Sequence, residues 1–142
     1  MKKSILFSAL LIGLFLVVSC TRKKAKRISS DTLYCKWELT AIKFYPRDEI
    51  IIPTKDYWVE FGEEGRLSFK KEANTCHTKY ETSGRDKLTI NNQIACTKMC
   101  CDGDISDKLN YQDVTEYEIK GDQLILTTKD RKFEFTRANY GK

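Results

Sequence analysis

Beyond residue 33 apolar and polar side chains alternate one by one, and this period of two limits what the chain can become more than any other feature. Trp37, Leu39 and Ala41 alternate with Lys36, Glu38 and Thr40, and Tyr57, Val59 and Phe61 alternate with Trp58 and Glu60. Successive side chains of a strand point to opposite faces, so each such run reads as a strand with one buried and one wetted face. Gly62-Glu63-Glu64-Gly65 follows as a turn, with Leu67 and Phe69 beyond it. Cys76, Thr78 and Tyr80 form the next run, closed by Ser83-Gly84-Arg85-Asp86 and followed by Leu88 and Ile90. Tyr117 and Ile119, a Gly121-Asp122 turn, Leu124 and Leu126, a Lys129-Asp130 turn, and Phe133 and Phe135 complete the series. Seven or eight short strands, with turn signals about every 8–12 residues, predict a mainly β, antiparallel barrel or sandwich. One interruption is expected near residues 104–114, where Asp104 would cap a short helix bearing Ile105, Leu109 and Val114. Ile50-Ile51-Ile52, between Pro46 and Pro53, would either cap the open end of a barrel or form an edge strand.

The chain has 142 residues, enough for one domain of ordinary size. Its net charge of +5 is unevenly placed. Lys2, Lys3, Arg22, Lys23, Lys24, Lys26 and Arg27 all precede residue 28, leaving 18 basic and 20 acidic residues beyond it. A nucleic-acid-binding domain carries its positive surplus on the folded body, so nucleic acid is not an expected partner.

The positive start belongs to an export signal. Met1-Lys2-Lys3 precedes 15 uncharged residues, Ser4 to Val18, and then Ser19-Cys20. An apolar run of that length is shorter than the roughly 20 residues a permanent membrane-spanning helix needs. Val17-Val18-Ser19-Cys20 resembles the bacterial lipobox. The resemblance implies a signal peptide over 1–19, cleavage before Cys20, and acylation of that cysteine by diacylglycerol and a further fatty chain. Two or three chains give lasting attachment where one does not. The polar, basic segment 20–33 would then be a tether, leaving a β-domain over 34–138. The expected partners are a membrane, through the anchor at Cys20, and an envelope protein or component. Thr21 rather than Asp after the cysteine points to the outer membrane by resemblance to the best-known sorting rule.

The order of landmarks in the body resembles the META-domain family of envelope lipoproteins and secreted proteins, over about residues 34–137. The residues are Trp37-Glu38-Leu39, Val59-Glu60-Phe61 with Gly65-Arg66-Leu67, Asn74-Thr75-Cys76-His77, Thr97-Lys98-Met99-Cys100-Cys101, Tyr117 to Leu124, and Phe133-Glu134-Phe135. The family's usual Gly-Cys-Asn stands here as Thr75-Cys76-His77, and a lipocalin-like lipoprotein family is the near alternative. The resemblance implies a compact antiparallel barrel of calycin or lipocalin-like type with a short helix before the last strands. It implies no enzyme and no cofactor, and at most an association with envelope-stress tolerance. It also pairs Cys76 with Cys101 in a disulfide.

Apart from Cys20 the cysteines are Cys35, Cys76, Cys96, Cys100 and Cys101. Outside the cytoplasm disulfides persist, and Cys35 with Cys96 or Cys100 is the second pairing to consider. The rival is a thiol redox or zinc protein using Cys96, Cys100 and Cys101 with Cys76 and His77. Adjacent residues on a strand point to opposite faces, so Cys76 and His77 would not ligate one ion together, and no metal site is expected. His77 is the single histidine, no nucleophile elbow accompanies it, and catalysis there is not expected. Asp102-Gly103-Asp104 with Asp107 lacks the ligand spacing of a calcium loop. Aromatic residues make up 11% of the chain. They would fill a core, or else line the mouth of a carrier for small apolar ligands at Trp37, Trp58 and Ile51.

Overall fold

The computed structural model describes residues 33–99, 103 and 105–139. Cys20, Cys100, Cys101, Asp102 and Asp104 lie outside the described residues. Among the described residues ten strands run in chain order: β1 (Lys36–Phe44), β2 (Ile50–Ile51), β3 (Trp58–Phe61), β4 (Arg66–Lys71), β5 (Asn74–Ser83), β6 (Lys87–Ile90), β7 (Ala95–Cys96), β8 (Glu116–Lys120), β9 (Gln123–Thr127) and β10 (Arg131–Arg137). Eight of them close an antiparallel barrel in the order β1-β3-β4-β5-β6-β8-β9-β10, with β10 returning to pair with β1. Closure removes the sheet edges that an open meander of this length would expose. The two-residue strands stand outside the ring, β2 on β1 and β7 on β5.

The alternating runs fold as their period predicts. Tyr57, Val59 and Phe61 are buried while Glu60 is exposed, and Trp58 sits on the outer face with the Lys36 ammonium 4.4 Å from its ring centre. In β1 a register shift between Leu39 and Ala41 lets consecutive Ala41 and Ile42 both face inward, the effect of one extra residue in a ladder. The barrel axis is filled by Trp37, Phe61, Tyr111, Phe133 and Phe135, all buried, as expected of an eight-stranded barrel just wide enough for side chains. Gly65 has φ 69°, and a Cβ there would lie 2.6 Å from the Tyr80 carbonyl oxygen, so the β3–β4 turn requires glycine.

The wall is uneven. β1 and β10 pair along seven register positions, whereas β6 meets β8 only at Lys87 and Glu116. Bonds from Leu88 N to Thr115 O (3.1 Å) and from Tyr117 N to Asp86 O (2.8 Å) complete that seam. The short helical segment before the last strands consists of two 3-10 turns, Ser106–Lys108 and Tyr111–Asp113. They lie where β6 and β8 part company, and the Gln112 amide donates to the Asn92 carbonyl at 3.2 Å. The Asn110 side chain accepts from Gln112 N and starts the second turn. Leu109 and Val114 are buried and Ile105 packs on the core.

The barrel has two distinct ends. At one the chain enters: Leu33 is buried and its carbonyl accepts from Trp37 Nε1 at 3.1 Å. The β3–β4, β5–β6 and β8–β9 turns share that end. The opposite end gathers the loop before β3, the β4–β5 turn, β7, the two 3-10 turns and the β9–β10 turn.

Candidate functional site: a cleft at the barrel end opposite the entry of the chain

Asn74, the first residue of β5, organises this end. Its carboxamide lies buried and copies a peptide group: Nδ2 donates to Met99 O (3.1 Å), while Oδ1 accepts from Met99 N (2.7 Å) and Thr97 Oγ1 (3.2 Å). Thr97 N donates to Thr75 O (3.0 Å) and Thr75 N to Thr97 Oγ1 (3.1 Å). Segment 95–99 is thereby laid along β5 beyond the two residues of β7. The Asn74 and Thr97-Lys98-Met99 landmarks singled out in the sequence are one hydrogen-bonded unit.

Cys76 and Cys96 face each other across β5 and β7 with Cα atoms 4.0 Å apart, and they form a disulfide. This corrects two expectations. Cys76 is not bonded to Cys101, and Cys96 is not available to Cys35, because register places Cys96 directly opposite Cys76. The pairing also removes both sulfurs from the zinc alternative. Cys35 sits at the entry end, where Arg137 Nη1 lies 3.1 Å from its sulfur, and burial pushes its thiol up. Among the described residues no cluster of His, Cys, Asp and Glu is arranged for a metal.

Between β7 and the 3-10 turns lies a cleft of about 280 Å³. Phe69, Ile94, Leu109, Tyr111 and the disulfide give it an apolar floor, and Lys71, Asp107 and Gln112 lie at its rim. Two of its lining residues, Ser106 and Tyr111, are 4% and 1% exposed, and their hydroxyl oxygens have no hydrogen-bond partner among the described residues. A buried hydroxyl without a partner costs about 1–3 kcal/mol, so their presence beside a cleft is informative. The Tyr111 ring packs edge-on to Phe69 (5.2 Å) and against Phe133 (4.9 Å). Burial, with a lesser contribution from Tyr57, pushes its phenol far above the ordinary value, so it remains a neutral hydroxyl.

A second recess, of about 270 Å³, adjoins Ile52, Lys55, Tyr57, Glu72, Gly103 and Ile105. The Glu72 side chain is 8% exposed, accepts from Tyr57 OH at 2.6 Å and lies 3.5 Å from Lys55 Nζ. A Cβ built on Gly103 would fall inside the Glu72 carboxylate, so the acid lies directly over the glycine backbone. Ile50 of β2 remains exposed at this same end, as do Ile52, Met99 and Tyr45 on its loops.

The residues proposed as ligand-lining do not converge. Trp37 is in the core, with Arg137 4.5 Å from its ring centre; Trp58 is on the outer face; Ile51 pairs with Ile42 at the β1–β2 edge. The Ile50–Ile52 triplet is thus divided, an edge strand followed by a residue at the second recess. His77 is exposed on the outer face, with Nδ1 2.9 Å from Ser68 Oγ. Glu60 pairs in register with Ser68 on the far side from His77, so the hydroxyl, not the imidazole, occupies the middle. That order differs from a hydrolytic triad, in which histidine lies between acid and nucleophile. Sequence reasoning missed Ser106, Tyr111, Glu72 and Gly103. The Asn110-x-x-Asp113 turn signal beside Tyr111 was the clue available for the first pair.

The family model described as META domain matches residues 31–140. No curated protein matches the sequence. Among solved structures, an NMR structure of a protein from Burkholderia xenovorans is similar at 17% identity with a TM-score of 0.59, covering 75% of this chain and 83% of that one. A second NMR structure is similar at 16% identity with a TM-score of 0.53, covering 74% and 90%. At these identities the likeness concerns the fold alone. With the family match spanning the whole barrel, the chain belongs to the META-domain family.

Proposed function

We propose that this protein is a lipid-anchored component of the bacterial cell envelope, held in the outer membrane through Cys20, whose barrel is a non-enzymatic binding module. The observation that carries the binding reading is the cleft with two buried hydroxyls unmatched among the described residues, at the end opposite the entry of the chain. The barrel interior is filled, so a ligand is met at the end rather than swallowed. Only 12 residues lie between Cys20 and Leu33, a reach of at most about 45 Å. The tether joins the barrel at the entry end, and that arrangement favours display of the cleft away from the lipid. Tolerance of envelope stress, suggested by the family resemblance, would follow from recognition of an envelope component.

Mass spectrometry of the mature protein tests the anchor, with diacylglycerol on Cys20 expected and an unmodified thiol overturning it. Photo-crosslinkers at Gln112 and, as a control, at Arg85 on the entry end test the binding face in intact envelopes. Discrete adducts from Gln112 alone are expected. Equal labelling from both positions would refute the assignment of the cleft end.

A further inference from the structure

Among the described residues, segment Ile94–Lys98 is hydrogen-bonded on one side only. Thr97 N donates to Thr75 O, and Met99 N to the Asn74 carboxamide, so the backbone groups of 97 and 99 point toward β5. In an antiparallel ladder the intervening residues turn their N–H and C=O groups the other way. Those of Cys96 and Lys98 therefore point away from β5, and no residue of the protein among those described pairs with them. Residues 95–99 are all exposed. An exposed row of strand donors and acceptors is a template for another strand, and most proteins cover or abbreviate such edges. Here the edge borders the 280 Å³ cleft, into which Ile94 and Cys96 contribute side chains.

From this geometry we infer that the protein binds an extended peptide, which adds as a strand to the outer edge of Ile94–Lys98 and inserts one apolar side chain into the cleft. The inference rests on the binding reading above and names its ligand class. A strand added at this edge runs about 4.8 Å from it, and its alternate side chains emerge on the same face as Ile94 and Cys96. They meet the apolar floor of Phe69, Leu109 and Tyr111. Backbone bonds supply affinity for any extended chain, and the cleft supplies preference for one large apolar residue. The cleft lies below the usual size of a site that encloses a whole small-molecule ligand, about 300–1,000 Å³, and suits a single side chain.

The probe is the peptide acetyl-Thr-Val-Thr-Phe-Thr-Val-Thr-amide, with one analogue carrying Ala in place of Phe and another N-methylated on every second amide. Titrated against the mature chain, the parent peptide is expected to bind and to slow hydrogen exchange at the Cys96 and Lys98 amides. Each analogue should bind about tenfold or more weakly. Lys98→Pro removes an outward donor and leaves the inward bonds of Thr97 and Met99 in place, so it should keep the urea midpoint and lose peptide binding. The proposal is overturned if all three peptides bind alike, if none binds at millimolar concentration, or if Lys98→Pro binds as the parent does. It is also overturned if the chain dimerises through an edge that Lys98→Pro disrupts, which would make a second copy the occupant. No peptide binding, together with a small molecule retained in native mass spectrometry, would sink this inference and leave the binding-module reading intact.

Discussion

Replacing Gly103 by alanine tests the packing at the cleft end most directly. The added methyl group would occupy the position of the Glu72 carboxylate. That acid is 8% exposed and accepts from Tyr57 OH at 2.6 Å, so it has little room to retreat without giving up its bond. A hydrogen bond to a charged group contributes about 1.5–3 kcal/mol, and overpacking costs are of similar size. Gly103→Ala should therefore destabilise the domain by about 2–3 kcal/mol, lowering Tm by roughly 10 °C for a domain of this length. The mechanism is separable from a general intolerance of side chains at 103. In a Glu72→Ala background the carboxylate is gone, and the same substitution should cost less than about 0.5 kcal/mol, giving a coupling near 2 kcal/mol. Urea unfolding of the four proteins, followed through Trp37 and Trp58 fluorescence, supplies the cycle. Additive effects would refute the contact between Glu72 and Gly103 as the cause.

Three further outcomes are expected. Replacing Cys76 and Cys96 together by alanine opens a 20-residue loop and should cost about 3 kcal/mol in urea unfolding, and a loss below 1 kcal/mol would contradict a structural bridge. Tyr111→Phe deletes a buried hydroxyl that has no partner among the described residues, so stability should be unchanged or slightly higher, whereas a loss above about 1 kcal/mol would reveal a bond to a residue outside them. Asp130 is held at a pKa of about 2 by hydrogen bonds from Arg131 and Thr128. A depressed folded-state pKa adds stability that is present above the unfolded value near 4 and lost as pH falls toward 2. Asp130→Asn should therefore cost a few tenths of a kcal/mol at pH 7, because the carboxylate is half exposed. That cost should shrink steadily as pH falls from 4 through 2, and a difference undiminished at pH 2 would contradict the assignment.

The barrel was legible because period two is a local signal. Trp37, Leu39, Val59, Phe61, Leu67, Phe69, Leu124, Leu126, Phe133 and Phe135 all face inward as their alternation requires. Ile42 was hidden, since a bulge shifts the phase of β1 and alternation cannot register an extra residue. The disulfide was hidden for a related reason. Five candidate thiols carry no information on register, and Cys96 meets Cys76 only because Asn74 and Thr97 align the two segments. Ile105, Leu109 and Val114 were legible as core-facing, but their backbone forms two tight turns, with the Asn110 carboxamide beginning the second. Glu72 above Gly103 joins residues 31 apart through a side chain, and no pattern along the chain announces such a contact. The cleft arises from these non-local placements, which is why the sequence showed the vessel and not its opening.

The sparse seam between β6 and β8 bears on how this vessel gives way. The chain's outermost strands are zipped together along β1 and β10, so fraying at the termini is resisted and compliance is displaced to the middle of the polypeptide. Local opening should therefore begin between Asp86–Leu88 and Thr115–Tyr117, where only a few backbone bonds hold, while the Cys76–Cys96 bridge and the buried Tyr111 keep the neighbouring segments anchored to the cylinder.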